Sequence, residues 1–346
     1  MREGTVKIES ENPRGTTRRD FLKASITTAL ACSLPTAPGH ANAEDSRSSG
    51  YGLTPPDYAP NWLEREPQRS RIVDVSSESV LQASVINPTI LSDMLEQGVR
   101  NLTAERTTSA SWRMILGDAR KIAIKFNSVG ANTIKMNDPL ALVLVAQLVD
   151  AGYDRSDLAL VEIPEFIHRQ TGTGAIPDGW LGEILVGDEL EPAKQYLSMA
   201  DAIINVPLVK THQIAGMSCC MKNLSHASIR HPARFHSDGC NPYVAQVISN
   251  RAISSRLKLN IVNALRIVID HGPDARAGDI LDYKTLLFGF DPLALDSMGM
   301  SILEIERRKA NLPPAINVRY LTSAAEMKLG RWRAADIERT AVKVDR

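Results

Sequence analysis

The sequence has few of the residues that mark nucleic-acid-binding proteins. Aromatic residues make up 5% of the 346-residue chain, which provides no stacking platform for single-stranded nucleic acid. Basic and acidic residues are balanced at 40 each, so the chain also lacks the basic surface that binds nucleic acid or an anionic membrane. We therefore expect no nucleic acid among its partners.

Several catalytic and cofactor-binding motifs are absent as well. There is no Cys-x-x-Cys pair and no four-cysteine run, so neither a preformed zinc module nor a ferredoxin-type cluster site is indicated. Residues 171–179 are glycine-rich but lack the lysine of a P-loop and the spacing of a dinucleotide-binding motif. The Gly-x-Ser-x-Gly of serine hydrolases and the His-Glu-x-x-His of metalloproteases do not occur.

The amino-terminal segment has the form of a twin-arginine export signal. Residues 17–23 read Thr-Arg-Arg-Asp-Phe-Leu-Lys, and the apolar run 24–31 is far shorter than the roughly 20 residues of a transmembrane anchor. It leads to Ala-Asn-Ala at 41–43, a small-x-small cleavage site. We expect residues 1–43 to be a signal peptide, the twin-arginine translocase to be a partner during export, and the mature protein to be periplasmic or secreted without a transmembrane anchor.

A lipid anchor is not our expectation. Cys32 could accept a lipid, but Ala29 stands where a lipoprotein signal has a branched apolar residue. The next segment, residues 44–70, is rich in proline, serine and charge and reads as a surface linker. The folded domain is expected to cover residues 71–346.

Strand and helix patterns alternate within this domain. Helices are predicted at 87–102, 137–152 and 291–312, strands at 121–127, 157–163 and 200–209, and a mixed segment ending in a strand at 257–270. This alternation predicts a single large α/β domain with a mostly parallel sheet and helices on both faces.

In such sheets, ligands bind beyond the carboxyl ends of the strands. Three predicted strands end in polar side chains: Lys125 and Asn127 follow the first, residues 162–165 the second, and residues 210–212 the third. The third strand also opens the segment 210–240, which holds four of the seven histidines and three of the four cysteines. We expect a functional site here.

The chemistry of the segment 210–240 leaves alternatives open. Lys210, Lys222, Arg230 and Arg234 could hold a carboxylate or phosphate, and His212 could transfer a proton or bind a metal. The histidines at 226, 231 and 236 with Cys240 have a loose zinc-like spacing. Cys240 could form one disulfide with Cys219 or Cys220, or all three cysteines could be buried small apolar residues. A cluster held by three cysteines and a histidine is a further, speculative alternative.

Seven segments together resemble one family, the domain of unknown function DUF362. They read IKFN, NDPLALVLVAQLVDAG, IINVPLVKTH, GMSCCMKNLSH, RFH, VIDHGPDARAGD and FGFDPLALD, and the resemblance as a whole covers roughly residues 121–330. Many members of this family look redox-associated, and some are fused to a ferredoxin-type domain; we expect a member without that fused domain. The resemblance marks Lys125, Asn127, Lys210, Thr211, His212, Lys222, Asn223, His236, Asp291 and Asp296, whose roles in the family are not established.

The leading hypothesis is an exported enzyme that binds a small anionic ligand, with or without a metal ion, in a Lys- and His-lined cleft. The expected catalytic residues are Lys210, His212, Lys222 and His236. The expected substrate-binding residues are Lys125, Asn127, Thr211, Asn223, Arg234, Asp291 and Asp296. The metal-ligand candidates are His212, His236, Cys219, Cys220 and Cys240. The alternatives are a non-catalytic metal-binding or redox-partner maturation factor, and an iron–sulfur or thiol redox protein.

Overall fold

A computed structural model describes residues 55–174, 176, 179–314 and 318–345 of the chain. The predicted signal peptide, its cleavage site and Cys32 therefore lie outside the described residues. Within the described ranges, no helix is both long and apolar enough to cross a membrane.

Thirteen strands and thirteen α-helices are named in chain order. The strands are β1 (Ser70–Ser76), β2 (Leu81–Gln82), β3 (Val85–Ile86), β4 (Ile122–Lys125), β5 (Leu158–Val161), β6 (Trp180–Val186), β7 (Glu189–Lys194), β8 (Ala202–Asn205), β9 (Leu208–His212), β10 (Gly216–Ser218), β11 (Leu257–Val268), β12 (Ile280–Gly289) and β13 (Ile337–Lys343). The helices are α1 (Asn61–Arg65), α2 (Pro88–Thr103), α3 (Thr108–Leu116), α4 (Ala131–Ile134), α5 (Asn137–Asp150), α6 (Glu165–Thr171), α7 (Tyr196–Met199), α8 (Cys220–Ser225), α9 (Ser237–Cys240), α10 (Tyr243–Ser249), α11 (Arg251–Ser254), α12 (Pro292–Lys309) and α13 (Arg319–Glu326).

Nine strands form one large sheet in the order β13-β1-β12-β11-β8-β4-β5, with β9 paired to β11 and β10 paired to β9. The strands β11, β8, β4 and β5 run parallel to one another, whereas β12 is antiparallel to both β11 and β1. Helices flank this sheet. The predicted α/β fold with a mostly parallel sheet is therefore confirmed.

Two long helices begin where their capping residues predict. The Asn87 side chain accepts hydrogen bonds from the backbone N–H groups of Thr89 and Ile90 at the start of α2. At the start of α12, Asp291 accepts from Leu293 and Ala294. In both helices a proline fills the first position, where the missing N–H removes no helical hydrogen bond.

The centre of the sheet differs from the prediction at two places. The predicted strand 200–209 is split into β8 and β9 at Pro207, which has no N–H to donate to a neighbouring strand. In the predicted mixed segment 257–270, the first 12 residues form one strand, β11, and none of them is helical. Strand β11 lies between β12 on one side and β8 and β9 on the other. Because both of its faces are buried, its sequence lacks the alternation of apolar and polar residues that marks a half-exposed strand.

The described part of the predicted linker packs on the domain. Trp62 in α1 is buried, and its indole N–H donates to the carbonyl of Leu329 at 2.6 Å. Tyr58 bonds to the hydroxyl of Ser254 at 2.9 Å and to the carbonyl of Ser249. Trp62 thus joins the start of the described chain to a segment near its end, and Tyr58 joins it to residues 249–254.

Candidate functional site

The carboxyl ends of β4, β5 and β9 meet at one edge of the sheet and carry polar side chains there. Lys125 ends β4, Glu162 follows β5, and Lys210 and His212 lie on β9. The short strand β10 turns back along β9 and leads into α8, which brings Lys222 to the same edge. The topology therefore collects these side chains from four separate segments.

A buried network of lysine and amide groups forms the floor of the site. The ammonium group of Lys125 donates to the side-chain oxygen of Asn223 at 3.2 Å, and Asn127 donates to the same oxygen at 2.9 Å. Lys210 donates to the side-chain oxygen of Asn127 at 2.8 Å and to the carbonyl of Val129 at 2.5 Å. Lys125 and Lys210 have no exposed surface. The structure thus brings together four of the residues that the sequence marks.

The amide network continues through residues that the sequence analysis missed. Asn223 donates to Asn205 at 2.8 Å, and Asn205 donates to Asn260 at 2.8 Å. On the other side, Asn137 donates to the carbonyl of Asn127 at 2.9 Å. Polar residues inside apolar strand patterns, such as Asn260 in β11, are the signal that could have identified them.

Glu162 is the carboxylate of this floor. Its Oε1 lies 2.9 Å from the Lys125 ammonium, and its Oε2 accepts from the N–H and hydroxyl of Ser128, each at 2.9 Å. Burial lowers the pKa of Lys125 against the attraction of this carboxylate. Burial opposes ionisation of Glu162 too, but the charge of Lys125 and the hydrogen bonds hold the pKa of Glu162 below its usual value. Glu162 also has a φ of 61°, a left-handed conformation that non-glycine residues rarely adopt.

The imidazole of His212 is held as one neutral tautomer. Its Nδ1 accepts hydrogen bonds from the backbone N–H groups of Ile214 at 3.2 Å and Ala215 at 3.1 Å, so the proton of the neutral ring resides on Nε2. Burial, reinforced by the positive charges of Lys222 and Lys210, lowers the pKa of His212 to about 3. His212 is therefore a hydrogen-bond donor through Nε2.

His236 has the opposite tautomer. Its Nδ1 lies 2.7 Å from the carbonyl of Pro232, which can only accept, so Nδ1 carries the proton and Nε2 keeps its lone pair. That lone pair faces the ammonium group of Lys222 at 3.4 Å. The rings of His212 and His236 stack with centroids 6.0 Å apart. Burial and the charge of Lys222 lower the pKa of His236, so it is an acceptor or base at neutral pH.

Lys210 and Lys222 have pKa values shifted toward neutrality. Burial lowers the pKa of Lys210 to about 7, although the more distant Asp274 and Glu162 oppose the shift. Burial also lowers the pKa of Lys222 to about 8, partly offset by Cys240. We call Lys210, His212, Lys222 and His236 the lysine–histidine cluster. His226 packs edge-on against His236 at 4.7 Å and donates from Nε2 to the carbonyl of Phe235 at 2.8 Å.

Asp291 and Asp296 lie away from the cluster and support helices. Asp291 caps α12, accepts from the hydroxyl of Ser70 at 2.6 Å, and accepts from the N–H of Arg331 at 2.8 Å. Asp296 accepts from the N–H of Cys220 at 2.6 Å and of Met221 at 3.3 Å, at the start of α8. These contacts assign Asp291 to helix capping and Asp296 to holding the helix that carries Lys222 and Asn223.

Arg234 and Thr211 also bond outside the cluster. Arg234 is ion-paired with Glu189 and, at 3.3 Å, with Glu191, both from the hairpin β6–β7. Arg234 is thus engaged in ion pairs outside the lysine–histidine cluster, and its role as a substrate ligand stays a prediction. The hydroxyl of Thr211 accepts from the N–H of Gly272 at 3.1 Å and so joins β9 to the loop that follows β11.

The three described cysteines are free and buried. The sulfur atoms of Cys219 and Cys220 are 4.0 Å apart, which is not a disulfide distance, and Cys240 is not joined to either. Burial raises the pKa of Cys219 and Cys220, so neither is a reactive thiolate at neutral pH. Nothing in this environment favours thiol redox chemistry at the adjacent pair.

Two sets of predicted metal ligands are close enough to share an ion. One contains His226, His236 and Cys240, and the other Cys219, Cys220 and Asp296. In the first set, the Lys222 ammonium lies among the donor atoms, bonded to His236 and to Cys240. In the second, Asp296 already accepts two backbone N–H groups and the hydroxyl of Tyr320. Both sets are thus engaged in protein contacts. His212 joins neither of these two sets.

Comparison with known proteins gives one family match and several distant structural likenesses, two of which follow. The model of the family described as a domain of unknown function, DUF362, matches residues 182–301. No curated protein matches the chain. A crystal structure of a protein from Thermotoga maritima has a TM-score of 0.38 and 12% identity, covering 63% of this chain and 59% of that chain. The lactate racemase apoprotein from Thermoanaerobacterium thermosaccharolyticum has a TM-score of 0.36 and 9% identity, covering 68% of this chain and 57% of that chain. The chain therefore spans less than two thirds of the length of either solved chain.

Proposed function

Since the chain belongs to the DUF362 family through residues 182–301, we propose that this family domain forms part of an enzyme that binds a small anion at the lysine–histidine cluster and transfers a proton there. The observation that carries this proposal is an excess of buried positive charge. Three lysines, Lys125, Lys210 and Lys222, are at most 6% exposed and meet at one edge of the sheet. Glu162 neutralises Lys125.

The other two lysines have no such partner. In the part of the chain that the structure describes, no carboxylate is ion-paired with Lys210 or Lys222, and their neighbours are amide, carbonyl, imidazole and thiol groups. An ammonium group taken out of water without a counter-ion is costly by several kcal/mol. A bound anion would supply that counter-ion and restore the charged form of both lysines.

The tautomers of the two histidines complement such an anion. The Nε2–H of His212 can donate to an anionic oxygen beside Lys222. The Nε2 lone pair of His236 faces the Lys222 ammonium and can accept a proton, and Lys210, with a pKa of about 7, can take up or release a proton near neutral pH. We assign anion binding to Lys222 and His212, and proton transfer to Lys210 or His236.

Binding of inorganic phosphate and of acetate, measured by calorimetry across pH 6–9, tests the first half of this proposal. Only the ammonium form attracts an anion, so affinity should fall as pH rises through the pKa values of Lys210, about 7, and Lys222, about 8. Lys222→Met should lower the affinity at pH 6 by at least about tenfold, since a hydrogen bond to a charged group contributes about 1.5–3 kcal/mol. Lys121→Met, a half-exposed lysine paired with Asp157, is the matched control and should change nothing.

Hydrogen exchange into small carboxylic acids in D₂O, followed by NMR, tests the second half. Wild type should catalyse exchange at the carbon next to the carboxylate, and either Lys210→Met or His236→Ala should abolish it, which identifies the residue that transfers the proton. Equal anion affinity in wild type and Lys222→Met would overturn the anion site. Anion binding without exchange in any of the acids would show a binding module rather than an enzyme.

A further inference from the structure

A second group of metal-ligating side chains lies in the segment after β11. Asp270 and His271 follow the strand directly, and Asp279 stands just before β12. One ligand atom from each of the three lies within 4.8 Å of the other two. This Asp-His-Asp group is separate from the metal candidates that the sequence suggests.

The distances within the group fit a small metal ion. Nδ1 of His271 lies 3.2 Å from Oδ1 of Asp279 and 3.4 Å from Oδ2 of Asp270. Imidazole nitrogen and carboxylate oxygen bind zinc at about 2.0–2.2 Å, so two ligands on a tetrahedral zinc are about 3.3–3.6 Å apart. The two measured distances are close to this spacing, and all three ligand atoms lie within 4.8 Å of one another, so one ion could bind all three after small side-chain shifts.

One carboxylate oxygen of the Asp-His-Asp group lacks a hydrogen-bond partner among the described residues. Oδ2 of Asp279 is fully enclosed and has no hydrogen-bond partner among the described residues. A buried carboxylate oxygen without a partner is costly and points to a ligand that the protein alone does not supply. Its side chain as a whole is 15% exposed.

The charge of the group also suits a dication. The guanidinium of Arg307 bonds to Oδ1 of Asp270 at 3.0 Å, which leaves Oδ2 of that carboxylate directed at His271. Two carboxylates against one guanidinium leave about one net negative charge. This differs from the His226–His236–Cys240 set, in which the Lys222 ammonium lies among the donors.

The backbone that carries the group is fixed to β9. The N–H of Gly272 donates to the hydroxyl of Thr211, and its carbonyl accepts from the N–H of Gln213 at 3.2 Å. A Cβ on Gly272 would stand 1.9 Å from the carbonyl oxygen of Thr211, so only glycine allows this approach. A cavity of about 240 Å³ borders Asp270, His271, Thr211 and His212, which gives an ion and one small ligand an open side.

We propose that Asp270, His271 and Asp279 form a binding site for a divalent transition-metal ion of the zinc type, with its open position toward the cavity beside His212. The site does not depend on the proposed anion chemistry, although a metal-bound anion in this cavity would be next to the lysine–histidine cluster.

The test is a Co²⁺ titration of the full chain, purified without a histidine tag and stripped with chelator. One Co²⁺ should bind per chain and give visible d–d absorption without a thiolate charge-transfer band, because the ligands are nitrogen and oxygen. Zn²⁺ should displace it. His271→Ala and Asp279→Asn should each lower Co²⁺ affinity by at least about tenfold.

His231→Ala is the matched control, since His231 is also half-exposed and hydrogen-bonded to a carboxylate, that of Glu191 at 2.8 Å. It should leave Co²⁺ binding unchanged. A thiolate band lost in Cys240→Ser would place the ion at the cysteine set and overturn the proposal. Unchanged affinity in both His271→Ala and Asp279→Asn, with circular dichroism showing folded variants, would overturn it as well.

Discussion

His212 and His236 lie side by side but have opposite hydrogen-bonding roles, and that difference comes from their backbone partners. Two N–H groups face Nδ1 of His212, whereas a carbonyl faces Nδ1 of His236. The first ring thus presents a donor on Nε2 and the second an acceptor. A single neutral histidine can supply only one of these roles at Nε2.

His212→Asn and His212→Ala should separate the two functions of this side chain. Asparagine can still accept from the N–H groups of Ile214 and Ala215 but no longer places a donor at Nε2. We expect His212→Asn to weaken phosphate binding with little change in melting temperature. His212→Ala should also lower the free energy of unfolding by about 1–2 kcal/mol, because two backbone donors lose their acceptor.

Calorimetry and urea unfolding measure these two effects separately. Phosphate affinity unchanged in His212→Asn would show that Nε2 does not face the ligand. As a spectroscopic control, the wild-type His212 ring should show no titration between pH 5 and 8 in NMR, since burial lowers its pKa to about 3.

At the scale of single residues, the sequence identifies side chains that follow strands but not their partners. Lys125, Asn127 and Lys210 stand at strand ends by a local pattern, and the structure brings them together. Asn205 and Asn260 are 55 positions apart in the chain and become neighbours only when β8 pairs with β11. Arg234 bonds to a hairpin whose position no local pattern reveals.

At the scale of elements, the helix that carries Lys222 and Asn223 is held by another helix. The residue before α8, Cys219, offers no side-chain cap, and Asp296 of α12 accepts from the first N–H groups of α8 instead. Burial raises the pKa of Asp296 to about 7 although these N–H groups oppose the shift. Asp296 thus positions the cluster from outside it.

Asp296→Ala should both destabilise the fold and displace the cluster. Two buried N–H groups would lose their acceptor, which costs about 1–3 kcal/mol each. Asp296→Asn keeps one acceptor oxygen and should cost less. We expect urea unfolding to rank the variants in this order and phosphate affinity to follow the same order.

Asp150→Ala, at the exposed end of α5, is the control for loss of a carboxylate and should leave both measurements unchanged. If Asp296→Ala lost stability but kept full phosphate affinity, α8 would not need this contact to place Lys222. The positioning role would then be wrong.

Elements with local signals are predictable from this sequence, and elements defined by distant neighbours are not. The caps Asn87 and Asp291 fix the starts of α2 and α12 because their hydrogen bonds reach only two or three residues along the chain. The strand β11 and the break at Pro207 depend on strands from elsewhere in the chain. Pairing with strands that are distant in the sequence therefore determines the extent of β11 and the position of this break.

At the scale of the whole molecule, charge is unevenly distributed. The chain has equal numbers of basic and acidic residues, yet three buried lysines lie together with one partly buried carboxylate at one edge of the sheet. Composition therefore excludes a generally basic surface but gives no sign of this local excess. Only the topology, which brings the carboxyl ends of β4, β5 and β9 to the same edge of the sheet, creates it.

Contacts between the two ends of the domain bear on export. Strand β1 pairs with β13, and Trp62 bonds to the carbonyl of Leu329, 267 positions away, so the fold is complete only after the whole chain is made. We propose export of the folded protein by the twin-arginine route, which carries folded chains. Replacing Arg18 and Arg19 together by lysine should keep the precursor in the cytoplasm, as measured by cell fractionation and immunoblotting, whereas Arg14→Lys should be exported and shortened. A periplasmic mature form of the double variant would show that export does not depend on the arginine pair.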